Sequence, residues 1–271
     1  MKKCYIQNLA FIVTDKCNLD CAHCLRGNKC NNDISDDAII KTLQQVSGVG
    51  NLAINGGEPT LAIEKIEKII SYVIENHISI DEFTVTINGT IYSEKLLELL
   101  EQINNYIEKD DINAFFAISI DDYHFDEIKR LGITKEFKEN LAKYMESKYF
   151  LGFRNTDKKL FREENAVNLD NKLTVPLRPL QTFLTYVDKD KKLNVEIGLC
   201  NIGPLVTINT NGIITESDAS LEHQETIYNY GNVLTELIED ACIRNGAKVL
   251  RPKKFERASY RAIKKYQSYN R

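Results

Sequence analysis

Between residues 10 and 153, short apolar runs alternate with amphipathic segments of helical period, and no other feature restricts the fold as much. Residues 10–14 form an apolar run. Ser35 then precedes a segment with Ile39, Ile40, Leu43 and Val46 on one helical face. Residues 52–55 form the next run, and Pro59 opens a helix in which Ile63, Ile66, Ile69, Ile70, Val73 and Ile74 recur at helical spacing. Residues 83–87 give a third strand ending in Asn88-Gly89, followed by a helix from Ser93 bearing Leu96, Leu99, Leu100 and Ile103. Residues 114–120 and 149–153 supply a fourth and a fifth strand, with a charged helix over 135–147 between them. Each helix carries the chain back along the sheet, so this alternation predicts an α/β fold with a parallel sheet and crossover helices.

The 271 residues are 43% apolar and 27% charged, enough for one barrel-sized domain with a modest appendage and far from a disordered composition. Met1-Lys2-Lys3-Cys4 lacks the apolar core of a secretory signal, and no apolar run approaches a membrane span, so a cytoplasmic chain without a membrane partner is expected. Seven cysteines, three of them clustered, do not read as a disulfide framework. Beyond residue 250 there are eight basic residues against one acidic, a net of +7, which leaves −11 on the rest of a chain whose total is −4. In that tail Phe255, Ala262, Ile263, Tyr266 and Tyr269 recur near helical spacing, predicting an amphipathic terminal helix on an acidic body. One short basic segment without a nucleic-acid motif leaves nucleic acid outside the expected partners.

The chemistry concentrates in Cys17-Asn-Leu-Asp-Cys21-Ala-His-Cys24. Cluster cysteines normally come in fours. A tight group of three suggests a four-iron cube in which a small molecule supplies the coordination of the fourth iron. A structural zinc knot of Cys17, Cys21 and Cys24 with either His23 or Cys30 is the alternative. Zinc motifs usually pair two Cys-x2-Cys knuckles, and the chain has no second one. Zinc would also leave unexplained the run Gly56-Gly57-Glu58-Pro59, where a glycine pair after Leu52, Ala53 and Ile54 lets bare backbone approach a ligand.

Together these motifs resemble the radical S-adenosylmethionine (radical SAM) superfamily, whose core motifs are Cys-x3-Cys-x-aromatic-Cys and Gly-Gly-Glu-Pro; His23 takes the aromatic slot here. The resemblance implies that the sheet curves into a partial (β/α)6 TIM-like barrel, with a sixth strand within residues 180–187. It implies one 4Fe-4S cluster on Cys17, Cys21 and Cys24, with S-adenosyl-L-methionine (SAM) on the open iron. Glu58, with Gly56, Gly57 and Pro59, would then bind the SAM amino group, and Gly57 would lie against SAM with no room for a Cβ. Active residues in such folds lie at the carboxyl ends of strands, which nominates Asn88, Ser119 and Asp121 as SAM contacts. Ordinary turn chemistry accounts for such residues equally well. His124 is the candidate catalytic acid–base residue or substrate contact, against the alternative of a satisfied loop histidine.

A second resemblance covers residues 200–233. Cys200-Asn-Ile-Gly-Pro-Leu-Val-Thr-Ile-Asn-Thr-Asn211-Gly212-Ile-Ile, then Tyr230-Gly231-Asn232-Val233, resembles the SPASM or twitch extension of peptide-modifying radical SAM enzymes. Asn211-Gly212 between apolar pairs predicts a β-hairpin with a two-residue turn. Thr215-Glu216-Ser217 stands where the family has its Pro-Cys step, and Cys200 and Cys242 are too few for a second cluster. The extension therefore reads as degenerate, a lid or substrate platform, with Cys200 a buried apolar residue. The expected division is a radical SAM partial barrel over 1–190, then the extension, a small β-hairpin plus helix, with the basic C-terminal helix over 191–271. The polar stretch 154–178 suits a loop over the barrel mouth. The resemblance implies an electron donor such as flavodoxin or ferredoxin, a 5′-deoxyadenosyl radical, and hydrogen abstraction from a ribosomal peptide or protein residue. The alternatives are a small metabolite or nucleotide as substrate and, in another class, a non-catalytic iron-sulfur or zinc-binding scaffold.

Overall fold

The structure is a computed structural model that describes residues 4–27, 30–107, 111–155, 160–161, 164–170, 174–175, 184–187, 200–203, 205–215, 223, 225–226, 228–245 and 248–249. Its frame is the expected alternation: β1 (Cys4–Ile12), α1 (Asp36–Gln44), β2 (Val46–Asn55), α2 (Ile63–Glu75), β3 (Ser79–Ile87), α3 (Glu94–Ile107), β4 (Ala114–Ser119), α4 (Asp122–Arg130), α5 (Thr134–Met145) and β5 (Phe150–Arg154). These five strands lie side by side in chain order, each pair parallel. The fold is α/β with a mostly parallel sheet. Ser35 caps α1 by accepting a 3.1 Å hydrogen bond from the Ala38 amide, which satisfies one of the helix's first free N–H groups. Helices α1, α2 and α3 bury Ile39, Leu43, Ile66, Ile69, Ile70, Leu96, Leu99 and Leu100 against Leu52, Ile54, Phe83, Val85 and Phe116 of the sheet.

Two segments differ from the sequence pattern. Val46, expected on the face of α1, is the first residue of β2. Gly48 and Gly50 interrupt the apolar signal at the front of that strand. At Gly50 an added Cβ would fall 2.6 Å from the Gln7 carbonyl oxygen of β1, so the strand pairing itself requires the glycine. Helix α4 has no counterpart in the sequence pattern because its sequence, Asp-Tyr-His-Phe-Asp-Glu-Ile-Lys-Arg, is largely polar, and it buries only Glu127 and Ile128.

After β5 come β6 (Leu160–Phe161) and β7 (Thr174–Val175), which among the described residues pair only with each other, then β8 (Leu184–Val187), β9 (Cys200–Gly203), β10 (Val206–Ile208), β11 (Ile214–Thr215), α6 (Ile238–Arg244) and β12 (Lys248–Val249). Strand β8 falls within the span expected for the sixth barrel strand, but it does not follow β5. It runs antiparallel to β9, and the sheet order is β12-β8-β9-β1-β2-β3-β4-β5. The chain returns to the other edge because β1 offers nine residues of backbone there. Its first half pairs in parallel with β9 and its second half with β10.

The hairpin β10–β11 forms with Thr207 opposite Thr215 and Ile208 opposite Ile214. Its turn is longer than two residues. The Gly212 amide donates to the Asn209 carbonyl at 2.8 Å, the Asn209 amide donates to Ile213 at 3.0 Å, and Gly212 takes φ +80°. Thr210 and Asn211 therefore occupy the turn centre, with Gly212 as the left-handed residue of a bulge. Val206, Ile208, Ile214, Val233, Ile238, Ala241 and Cys242 share one hydrophobic cluster with the barrel strands. The basic tail, Glu216, Ser217, much of the 154–178 stretch and the side chain of Cys200 lie outside the described residues. Among the described residues, no helix is long and apolar enough to cross a membrane.

Candidate functional site

The cysteine loop leaves the carboxyl end of β1 and is closed at its neck. The Val13 amide donates to Asn55, the Ile34 amide donates to Val13, and Thr14 bridges to Asp33. The Thr14 hydroxyl donates to Asp33 Oδ1 at 2.6 Å, and Lys16 Nζ meets Oδ2 at 2.5 Å. Burial pushes the Asp33 pKa up, but the hydrogen bonds from Lys16 and Thr14 outweigh it and hold the carboxyl below its ordinary value.

The glycine pair fastens onto this neck. The Gly57 amide donates to the Thr14 carbonyl and the Glu58 amide to the Lys16 carbonyl, both at 2.7 Å. A Cβ on Gly57 would overlap the Lys16 carbonyl oxygen and fall 2.9 Å from that of Asp15; one on Gly56 would fall 2.8 Å from that of Thr14. The space that admits only glycine is filled by the backbone of residues 14–16. Pro59 is buried and opens a short 3-10 turn, Pro59–Ala62. Glu58, 1% exposed, caps that turn: Oε1 accepts from the Thr60 amide at 3.1 Å and its hydroxyl at 2.6 Å, while Oε2 accepts from the Asn88 amide at 2.7 Å. Burial holds its carboxyl above the usual range, opposed by those donors and by His124.

Asn88 carries the connection onward to the cysteines. Its Nδ2 donates to Asn18 Oδ1 at 2.9 Å and lies 3.8 Å from Cys17 Sγ, while its Oδ1 accepts from the Thr90 amide and hydroxyl. Cys17 Sγ also accepts from the Leu19 amide at 3.4 Å, and a turn links the Cys24 amide to the Cys21 carbonyl at 3.0 Å. Burial pushes the Cys21 thiol far up, and the charges of Cys17, Cys24, Asp121 and Glu127 push it further in the same direction. Such a group needs cationic metal to ionise. Three cysteines on one loop, with Cys21 buried among groups that oppose its ionisation, fit the three-thiolate side of a 4Fe-4S cluster.

The fourth strand ends beside the same loop. Ser119 is half-buried, and its hydroxyl makes no hydrogen bond among the described residues. Asp121 caps α4 by accepting from the His124 amide at 3.0 Å, and the same Oδ1 lies 2.7 Å from His124 Nδ1. Its Oδ2 lies 3.2 Å from His23 Nε2. His23 stacks on Tyr123 at 4.8 Å and meets His124 edge-on at 4.9 Å. Thus Cys17, Cys21, Cys24, Glu58, Asn88, Asp121 and His124 form one connected region, with the glycine pair behind it.

A further network went unread in the sequence. Arg26 Nη2 pairs with Asp15 Oδ1 at 2.6 Å, Arg26 Nη1 donates to Asn209 Oδ1 at 3.3 Å, and the Thr210 hydroxyl donates to Asp15 Oδ2 at 2.5 Å. All four residues are buried. No local spacing connects the cysteine loop with a hairpin tip so distant in sequence.

Residues 11–150 match the family model of the Radical SAM superfamily. The chain is 27% identical over 176 residues to the GTP 3',8-cyclase of Clostridium perfringens, covering 61% of this chain and 51% of that protein. It is 32% identical over 148 residues to the GTP 3',8-cyclase of Clostridium acetobutylicum, covering 50% and 45% respectively. The chain spans about half the length of the curated relatives it matches. Among solved structures, native anSMEcpe with bound AdoMet and Cp18Cys peptide aligns with a TM-score of 0.49 at 14% identity, over 88% of this chain and 80% of that one.

Proposed function

The chain belongs to the radical SAM superfamily, and from that membership we propose an enzyme that uses a 4Fe-4S cluster and SAM to generate a 5′-deoxyadenosyl radical and abstract hydrogen from a peptide or protein residue. The observation that carries this reading is the joining of the two motifs: Gly57 and Glu58 are hydrogen-bonded to Thr14 and Lys16 at the neck of the cysteine loop. Cys17, Cys21 and Cys24 would hold the cluster, whose chemistry with SAM is the cofactors' own. The protein's part is orientation and exclusion of water. Glu58 and Asn88 fix the ends of β2 and β3 against the loop, so their side chains position the site, while the uncommitted Ser119 hydroxyl is available to a bound ligand. His124, whose Nδ1 meets Asp121, would exchange a proton with substrate or solvent through its other ring nitrogen.

The peptide reading rests on the resemblance of residues 200–233 to a SPASM-like extension. A second reading, a nucleotide substrate, is favoured by the GTP 3',8-cyclases among the relatives. Anaerobic reconstitution followed by reduction with SAM, with 5′-deoxyadenosine as readout, tests the enzyme. No product under any condition would leave the iron-sulfur scaffold in its place. Deuterium transfer into 5′-deoxyadenosine from labelled GTP, or from labelled peptides encoded beside the gene, decides between the substrates. Flavodoxin or ferredoxin is the expected electron donor.

A further inference from the structure

The Asp121 carboxylate orients two imidazoles at once. One oxygen lies 2.7 Å from His124 Nδ1 and the other 3.2 Å from His23 Nε2. This leaves His124 Nε2 and His23 Nδ1 as the uncommitted ring nitrogens, and His23 Nδ1 is buried without a hydrogen-bond partner. A buried ring nitrogen without a partner is costly unless something occupies it. One ligand atom from each of Cys21, His23 and His124 lies within 4.8 Å of the others. A carboxylate that accepts from the far nitrogen of a histidine, so fixing its tautomer and aim, is the outer partner usual for zinc-bound histidines.

We propose that Cys21, His23 and His124 form a mononuclear Zn2+ site, held by Asp121 from behind, which is occupied only when the iron-sulfur cluster is absent. Zinc accepts one thiolate and two imidazoles in a tetrahedral set and leaves the fourth position to water. Bonds of about 2.0–2.3 Å put tetrahedral ligands roughly 3.3–3.8 Å apart, so closure takes about an ångström of side-chain movement. Binding releases the Cys21 thiol proton to solvent, and no electron moves. Cys21 cannot serve both metals, so zinc and the cluster exclude each other. That exclusion rests on the assignment of Cys21 to the cluster; the zinc site itself does not. It also differs from a zinc knot of Cys17, Cys21 and Cys24, because two of its ligands are imidazoles and one lies on another element.

The experiment is Zn2+ titration of the full-length, cluster-free, thiol-reduced protein against a chromophoric chelator, with X-ray absorption of the 1:1 complex. The expected shell is one sulfur at about 2.3 Å and two nitrogens at about 2.0 Å. His23→Ala and His124→Ala should each weaken zinc at least about tenfold while taking up cluster iron as the wild type does. Cys17→Ala and Cys24→Ala should bind zinc normally, and zinc-loaded protein should accept no cluster until chelator removes the metal. A shell of three sulfurs, or zinc lost with Cys17 or Cys24 and unaffected by His124→Ala, would overturn the site. Should a histidine variant misfold, the wild-type absorption shell alone decides. If zinc binds as expected but the reconstituted enzyme forms no 5′-deoxyadenosine, the zinc site stands and the radical SAM assignment of function fails.

Discussion

Thr210 donates a 2.5 Å hydrogen bond to Asp15, 195 positions earlier in the chain, and so joins the tip of the C-terminal hairpin to the start of the cysteine loop. Arg26, just beyond the last cysteine of the triplet, closes the other side of the same carboxylate. The loop is thereby pinned from a part of the chain that its own motif does not contain.

Asp15→Ala should leave the Arg26 guanidinium buried and unpaired, at a cost of about 3–5 kcal/mol. Thr210→Val removes one hydrogen bond of the network and should cost about 1 kcal/mol. Denaturant midpoints should rank the two in that order, and cluster iron per chain should fall in Asp15→Ala. Equal stability of Asp15→Ala and wild type would show that the network is not holding the loop.

Replacement of Cys17, Cys21 or Cys24 by Ala should abolish 5′-deoxyadenosine formation if, as proposed, each thiolate holds a separate iron. Cys242 is buried in the main hydrophobic core, outside the triplet, and Cys242→Ala should retain cluster iron near one 4Fe-4S per chain. A full cluster surviving loss of any one of the three would contradict the assignment.

At Gly57 a side chain meets the Lys16 carbonyl before it meets any ligand. Gly57→Val should therefore displace the neck of the cysteine loop, and cluster content and SAM binding should fall together. The checks are iron analysis and titration of SAM against the reduced cluster's EPR signal. Normal iron with weakened SAM would mean that the glycine faces the ligand after all.

Burial raises the Glu58 pKa, so the folded chain binds that proton more tightly than the unfolded chain. The stabilisation is complete below the ordinary Glu value of about 4.3 and is lost as pH rises through the folded value. Urea midpoints of wild type should thus decline relative to Glu58→Gln as pH rises above about 4.3. Parallel pH profiles would show that Glu58 does not change its proton affinity on folding.

Much of the frame could be read from period and punctuation. Ser35 did cap α1, and the apolar spacing of α2 and α3 located their buried faces, because helix burial repeats within a few residues. Helix α4 escaped because its start depends on one side chain, Asp121, accepting from the third residue onward, in a segment too polar to show a face. The strand expected within residues 180–187 is present as β8, but its antiparallel pairing with β9 was not legible, because partner choice is a property of the whole sheet. At the site, the cysteines and the glycine run were visible as motifs. What Glu58, Asn88 and Arg26 do was not, since each also bonds a group distant in sequence: the Asn88 amide for Glu58, Asn18 for Asn88 and Asn209 for Arg26.

Strand β1 is made first and completed late, since its outer edge is covered by residues 200–208. At about 5–20 residues per second, a ribosome needs roughly 10–40 s to travel from the cysteine triplet to the hairpin that pins it. Through that interval the thiols ride on a nascent chain whose pocket lacks one wall. A chain cut anywhere between Cys24 and Thr210 would keep every cysteine of the triplet but lose the Thr210 hydrogen bond that pins its loop, so its cluster iron should fall below that of the full chain.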